Sequence, residues 1–136
     1  MHIISWVDNR PVKEQLRQNI WVTGQTGSGK TLLLTTLKAL KVELEPETAF
    51  TGTIDVAYDI LRDRMVHGVR NGRSFLLMLD DFNSHFISKD DLRHLKTILN
   101  VGYQYNIFVW GASQCSSVNT LGIASYADSH FHHVKL

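Results

Sequence analysis

The sequence predicts an α/β fold whose mostly parallel central sheet is covered by helices on both faces. Short apolar segments alternate along the chain with longer segments in which apolar residues recur at helical spacing. Several of the short segments are apolar almost throughout, which is typical of strands covered on both faces. Because strands separated by helices are joined by crossovers, we expect them to run parallel in one sheet.

The first half of the chain begins this alternation of strands and helices. A short strand, a turn and a second extended piece are predicted for residues 3–12, IISWVDNRPV. A buried strand is predicted for residues 19–24, NIWVTG, and a helix for residues 30–41, KTLLLTTLKALK. Residues 42–52, VELEPETAFTG, predict a loop with a short strand near its end. A further helix is predicted for residues 53–70, with an apolar face formed by Ile54, Ala57, Ile60, Leu61 and Met65.

The second half continues the pattern. A strand covered on both faces is predicted for residues 74–82, SFLLMLDDF. The helix predicted for residues 88–103 opens on a serine suited to cap it, with an aspartate three residues later. A buried strand follows at residues 106–114, NIFVWGASQ, then a loop at residues 117–127 and a final strand at residues 129–136, SHFHHVKL.

Length and composition limit the possible classes of protein. The chain has 136 residues, 43% hydrophobic and 20% charged, so we expect one globular domain spanning residues 1–136. Apolar runs stay below the roughly 18 residues of a membrane span, and the N-terminus lacks a signal-peptide pattern. A single cysteine, Cys115, excludes an internal disulfide, so we expect a cytoplasmic protein. With a net charge of +1, contact with DNA would require a local basic patch or several copies acting together.

A glycine-rich segment with a lysine separates the second predicted strand from its helix. In NIWVTGQTGSGKTLLLTTL the spacing fits G-x-x-x-x-G-K-[ST]. Glycines let the backbone curl so that N–H groups, and the positive end of the helix dipole, face a polyanion. The segment therefore predicts an ATP-binding loop made of Gly24, Gln25, Thr26, Gly27, Ser28, Gly29, Lys30, Thr31 and Leu32. Lys30 would reach the β- and γ-phosphates and Thr31 would ligate Mg²⁺. The alternative is an ordinary βα turn with an exposed lysine.

Polar side chains also follow two further predicted strands. Asp80 and Asp81 end the run FLLMLDDF, at the sheet edge where ligands of parallel sheets bind. We expect Asp80 to hold Mg²⁺ and Asp81 to orient the attacking water or take its proton. In one large class of P-loop ATPases, the strand that follows these acids in sequence lies between their strand and the strand before the phosphate loop. Gln114, at the tip of that next strand here, would therefore face the γ-phosphate. The alternatives are two solvated acids in a turn and a glutamine that starts a loop.

The segments VTGQTGSGKT, FLLMLDDF and NIFVWGASQCSS together resemble the FtsK/HerA superfamily of P-loop ATPases that move DNA. The resemblance covers most of the chain from about Ile20 onward. It implies a RecA-like P-loop fold, with Lys30 and Thr31 as ligands of phosphate and Mg²⁺, Asp80 as the Walker B acid and Gln114 as a sensor. It also implies action on DNA as a homo-oligomeric ring such as a hexamer. The short chain would be a minimal motor core from a virus, plasmid or other mobile element.

Two departures from the family pattern bear on hydrolysis. The family usually has glutamate where Asp81 stands, and a base displaced by about 1 Å can lower the rate on the order of 10²-fold. Members often supply an arginine to the neighbouring subunit near the position that Tyr103 occupies here. Either departure would slow turnover, unless Arg93 or Arg73 supplies the missing arginine.

Three functions therefore remain open. The first is an Mg·ATP-dependent motor that translocates or packages DNA, for which the candidate DNA contacts are Arg62, Arg64, Arg70, Arg73, Lys89, Arg93 and Lys96. These residues could equally be solvated helix faces balanced by nearby aspartates. The second is a nucleotide-gated assembly protein with weak hydrolysis. The third, a small-molecule kinase, is disfavoured because no arginine-rich lid lies between Asn83 and Lys89.

Histidine, cysteine and tryptophan residues could bind a metal, act as a nucleophile or stack on bases, but the sequence favours none of these roles. His130, His132 and His133 predict surface positions on the last strand, since no cysteine or carboxylate nearby completes a metal site. Cys115 has no base placed beside it by the sequence. The three tryptophans are expected in the core rather than as stacking platforms for bases.

Overall fold

In the part of the chain that the structure describes, five strands form one sheet and pair in parallel. The structure is a computed structural model and describes residues 12–25, 27–82, 88–114 and 131–136. The strands are β1 (Ile20–Thr23), β2 (Ala49–Thr51), β3 (Phe75–Leu79), β4 (Ile107–Ser113) and β5 (His132–Lys135). Their order is β2-β3-β4-β1-β5, so β4 lies between β1 and β3 as expected.

Among the described residues, four helices and two short 3₁₀ turns precede or connect the strands. They are α1 (Val12–Gln15), α2 (Lys30–Leu44), α3 (Ile54–His67), α4 (Lys89–Val101) and the 3₁₀ turns Arg70–Gly72 and Gly102–Tyr105. The α4 helix is capped as predicted, because the Ser88 hydroxyl accepts a hydrogen bond from the Asp91 N–H at 3.0 Å. The helix that follows the glycine-rich loop continues three residues beyond its predicted end at residue 41. Of the strand and turn predicted for residues 3–12, only Val12 is described, and it begins a helix.

Helices cover both faces of the sheet, which confirms the predicted fold class. Alternate residues of β3 enter different cores: Leu77 packs with α3 and α4, and Leu76 packs with α2 on the opposite face. Trp21 and Trp110 are fully buried, as expected, one in each core. Met65 departs from its predicted place in the apolar face of α3, because it borders an open groove between α3 and α4 and is 53% exposed.

No helix in the described part of the chain is long and apolar enough to cross a membrane.

Candidate functional site

A pocket of about 630 Å³ lies at the sheet edge where β1, β3 and β4 end. Its walls come from three separate segments of the sequence, namely the loop after β1, the turn after β3 and the tip of β4. The lining residues are Gly27, Gly29, Lys30, Thr31, Leu32, Asp80, Asp81 and Gln114. The residues predicted to act on phosphate, metal and water therefore face one volume large enough for a phosphate chain.

The loop after β1 has the backbone that a phosphate cradle needs. Gly27 and Gly29 have φ values of 85° and 95°, which side-chain-bearing residues adopt only with strain. The helix α2 then begins at Lys30 with glycine as its N-cap, so no side chain satisfies its first N–H groups. These donors and the helix dipole are therefore available to an anion in the pocket.

Lys30 is held inside the loop. Its ammonium donates hydrogen bonds to the backbone carbonyls of Gly24 and Gln25, at 2.7 and 2.9 Å. The N–H of Gly24 in turn donates to the carbonyl of Ser113 at 3.3 Å, which joins the start of the loop to the tip of β4. The positive charge is thus positioned at the pocket by backbone atoms and does not depend on an acidic partner.

Thr31 and Asp80 meet across the pocket. The Thr31 hydroxyl donates to both carboxylate oxygens of Asp80, at 3.0 and 3.3 Å, and both residues are exposed. A hydroxyl oxygen beside a carboxylate is a donor set that suits Mg²⁺, which prefers oxygen ligands and keeps several waters. The two residues predicted as metal ligands therefore fit that ion.

Asp81 occupies a strained turn that the core holds in place. Its φ is 52°, in the left-handed region, and its side chain is exposed at the pocket. The next residue, Phe82, donates its N–H to the carbonyl of Ala112 at 2.7 Å. The buried Phe82 ring also meets Trp21 edge to face, with centroids 5.4 Å apart. The turn after β3 is thereby fixed to β4 and β1.

The tip of β4 is tied to β1 by a contact that sequence reasoning missed. The Trp21 indole N–H donates to the Ser113 hydroxyl at 2.9 Å, directly before Gln114. The Trp21 ring covers Gly111, where a methyl group would lie 2.3 to 2.8 Å from three ring atoms. Only the pairing of Trp21 with Gly111 in neighbouring strands brings these residues together, and that register is not visible in the sequence.

One histidine also lies closer to the loop than predicted. His133 on β5 is half-buried, and its Nε2 is 2.7 Å from the hydroxyl of Thr23, the last residue of β1. Gly24, Gln25 and Ser28 belong to the loop but do not line the pocket. Thr26, Cys115, His130 and Trp6 lie outside the described residues.

Of the basic residues that the sequence offered for DNA, Arg64, Arg70 and Arg73 line one pocket, whereas Arg93 lies apart from it on α4. Arg64, near the end of α3, donates to three backbone carbonyls at 2.8 to 3.3 Å. Arg73 lies 3.6 Å from Glu47, at the sheet edge opposite the pocket, where β3 begins. Arg93 pairs with Asp90 at 2.9 Å near the start of α4. The acidic partners of Arg73 and Arg93 favour the alternative interpretation, balanced and solvated charges, for these two residues, whereas Arg64 binds backbone atoms.

Comparison with known proteins finds solved structures of similar fold. No family model and no curated protein matches the sequence. A crystal structure of the DnaC helicase loader matches with a TM-score of 0.60 and 18% identity, over 98% of this chain and 85% of that one. A putative primosome component from Streptococcus pyogenes serotype M3 matches with a TM-score of 0.57 and 18% identity, over 98% and 75%. A DNA replication initiation factor matches with a TM-score of 0.54 and 18% identity, over 92% and 43%.

At 18% identity these likenesses concern the fold alone, a mostly parallel sheet flanked by helices. The proteins named are a helicase loader, a primosome component and an initiation factor, and they lend no support to the FtsK/HerA superfamily in particular.

Proposed function

We propose that this protein binds Mg·ATP in the pocket after β1, hydrolyses it, and uses the nucleotide state to control its assembly with DNA and replication partners. The observation that carries the proposal is the meeting of Lys30, the bonded pair Thr31 and Asp80, and Gln114 around one pocket. An ordinary βα turn explains an exposed lysine, but it does not explain why Asp80 and Gln114 line the same pocket as Lys30.

Each residue has a role that follows from its chemistry. Loop N–H groups and Lys30 bind the phosphates, while Thr31 and Asp80 hold Mg²⁺. Mg²⁺ held by Thr31 and Asp80 would supply positive charge beside the phosphate oxygens. Asp81 orients the attacking water and accepts its proton. Gln114 donates a hydrogen bond to the terminal phosphate, and it conveys the presence of that phosphate to β4 and β1 through Ser113 and Trp21.

The proposed role in DNA replication is supported by the neighbours in fold, a helicase loader and a primosome component. Weak hydrolysis suits such a role, because a loader needs a nucleotide-dependent change of state rather than repeated strokes. A DNA-translocating motor of the FtsK/HerA type is the second candidate, favoured by the Ser-Gln tip at Ser113 and Gln114. Both candidates would act as homo-oligomers.

Calorimetry with Mg·ATP tests the binding step. Lys30→Ala should weaken binding at least about 100-fold, since charge-assisted hydrogen bonds worth about 3 kcal/mol are lost. Lys38→Ala removes an exposed lysine two turns further along α2 and serves as the matched control. Equal affinities for the two variants, with both still folding cooperatively, would show that the loop does not hold the phosphates.

Turnover and assembly separate the two candidate functions. ATP hydrolysis and oligomer size are measured with and without double- and single-stranded DNA. ATP-dependent assembly on DNA with slow turnover supports the loader, whereas turnover strongly stimulated by double-stranded DNA supports the motor. Asp81→Asn should bind ATP normally and hydrolyse it more slowly, because an amide cannot accept the proton. Unchanged turnover in Asp81→Asn would place the base elsewhere.

A further inference from the structure

Three potential metal ligands meet where α3 and α4 begin, among residues that have no part in the ATP pocket. They are Asp55 in the first turn of α3 and, one turn apart on α4, Asp91 and His94. One ligand atom from each lies within 4.8 Å of the others. The cluster is open to solvent on one side, because the Asp55 side chain is 68% exposed.

The histidine is held in a fixed orientation. Its ring stacks flat on Tyr58, with centroids 3.9 Å apart and an interplanar angle of 9°. The Nδ1 atom is buried and, within the described part of the chain, has no hydrogen-bond partner; its distance to Asp55 Oδ1 is 3.8 Å. A buried polar atom without a partner costs about 1–3 kcal/mol, and in native proteins such atoms are usually satisfied by water or an ion. A ligand placed between His94 and the two acids would satisfy this nitrogen.

Helix capping alone does not account for the cluster. Aspartates in the first turn of a helix are stabilised by the helix dipole, which explains Asp55, Asp91 and also Asp90. Capping does not account for His94, because it lies in the second turn of α4, beyond the first N–H groups of the helix. An imidazole nitrogen beside two carboxylates is a donor set that can hold a cation.

We propose that Asp55, Asp91 and His94 bind a divalent first-row transition ion such as Zn²⁺. One imidazole nitrogen and two carboxylate oxygens suit Zn²⁺, whereas Mg²⁺ takes oxygen ligands and would stay with the nucleotide. Ligands at about 2.0–2.2 Å from Zn²⁺ lie roughly 3–3.6 Å apart, so the side chains must close by about 1 Å. The exposed Asp55 can make that movement, and water completes the coordination. The ion would tie the first turns of two packed helices together.

Metal binding by the nucleotide-free protein tests the site. Titration with Zn²⁺ in a calorimeter, and with Co²⁺ followed by visible absorption, should detect one ion that raises the melting temperature. Asp55→Asn and His94→Gln should each lose that ion, with affinity lowered at least about 10-fold. Asp90→Asn is the matched control, since Asp90 is a first-turn acid outside the cluster, and it should bind as wild type does.

The remaining outcomes decide against the site. Other histidines could bind Zn²⁺ weakly, so equal stoichiometry and affinity in wild type, Asp55→Asn and His94→Gln would overturn the proposal. Absence of binding to the wild type, or displacement of Zn²⁺ by an equal concentration of Mg²⁺, would do the same. Zn²⁺ binding should persist in Lys30→Ala, because the cluster and the ATP pocket share no residue. This result separates failure of the metal site from failure of the proposed function.

Discussion

Replacing Glu45 by glutamine should destabilise the protein at neutral pH and reduce its sensitivity to acid. Glu45 follows α2 and is an ion-pair partner of both Arg17 and Lys41, with the Arg17 contact at 2.8 Å. Lys41 is completely buried, which is rare for lysine without a paired charge. Burial raises the pKa of Glu45, but hydrogen bonds from Arg17 and Lys41 outweigh it and lower that pKa from 4.5 to about 2.

The size of the effect follows from that shift. A change of one pKa unit is worth about 1.4 kcal/mol, so the fall from 4.5 to about 2 corresponds to about 3 kcal/mol of stability. The side chain of Glu45 is only 10% exposed, so solvent screening reduces this figure little. Because the folded pKa lies below the unfolded one, the stabilisation is complete above pH 4.5 and is lost as the pH falls toward 2. By pH 3 about 2 kcal/mol of it should be gone.

Urea unfolding at pH 7 and at pH 3 measures both effects. Glu45→Gln should unfold with a free energy about 3 kcal/mol below wild type at pH 7, since Lys41 then loses its charged partner. The difference should shrink to about 1 kcal/mol at pH 3. Glu43→Gln, an exposed position on the same helix, should behave as wild type at both values. A difference between Glu45→Gln and wild type that stays constant from pH 7 to pH 3 would refute the assigned pKa.

Two further changes test the contacts around Trp21. Gly111→Ala should destabilise the fold by about 3 kcal/mol or more in urea unfolding, because its methyl group would overlap a fully buried ring; a loss below 1 kcal/mol would contradict the packing. Ser113→Ala leaves the buried indole N–H without its partner and should cost about 1–3 kcal/mol. An unchanged unfolding midpoint would argue against this hydrogen bond.

Much of the fold was predictable because it rests on local periodicity. The helices α3 and α4 and the strands β1, β3, β4 and β5 lie within the predicted segments, and α2 begins where predicted, since their apolar residues have the spacing of those elements. The pocket was also foreseeable: carboxyl ends of neighbouring parallel strands share one edge, so residues that follow β1, β3 and β4 must converge. The extra turn of α2 was missed because Glu45, which anchors its end, is paired with the distant Arg17.

The contacts that could not be predicted depend on register and on side chains distant in sequence. Nothing in the sequence sets Trp21 beside Gly111, because sliding a strand by one residue would move the indole to the other face. The burial of Lys41 likewise requires Glu45 and the ring of Phe108, 5.8 Å from its ammonium. The cluster around His94 joins two helices whose packing the pattern of apolar residues does not specify.

At Asp81 we expect the backbone conformation to destabilise the fold, while the carboxylate of the same residue serves ATP hydrolysis. A residue with a side chain at φ 52° is strained by about 1–2 kcal/mol, although aspartate tolerates this region better than most. Strain of this kind persists when the surroundings hold the backbone, and here Phe82 does so through Ala112 and Trp21. Retaining aspartate in such a turn is expected if its carboxylate is needed at the pocket.

Asp81→Gly separates the two effects. Glycine relieves the strain but adds freedom to the unfolded chain, so urea unfolding should show a gain of up to about 1 kcal/mol. ATP turnover should fall at the same time, because no carboxylate remains to activate water. Asn71→Gly, at an exposed residue with φ 56° far from the pocket, should leave turnover unchanged. If Asp81→Gly lost stability instead, the carboxylate would be part of the fold, and its position at the pocket would be no argument for catalysis.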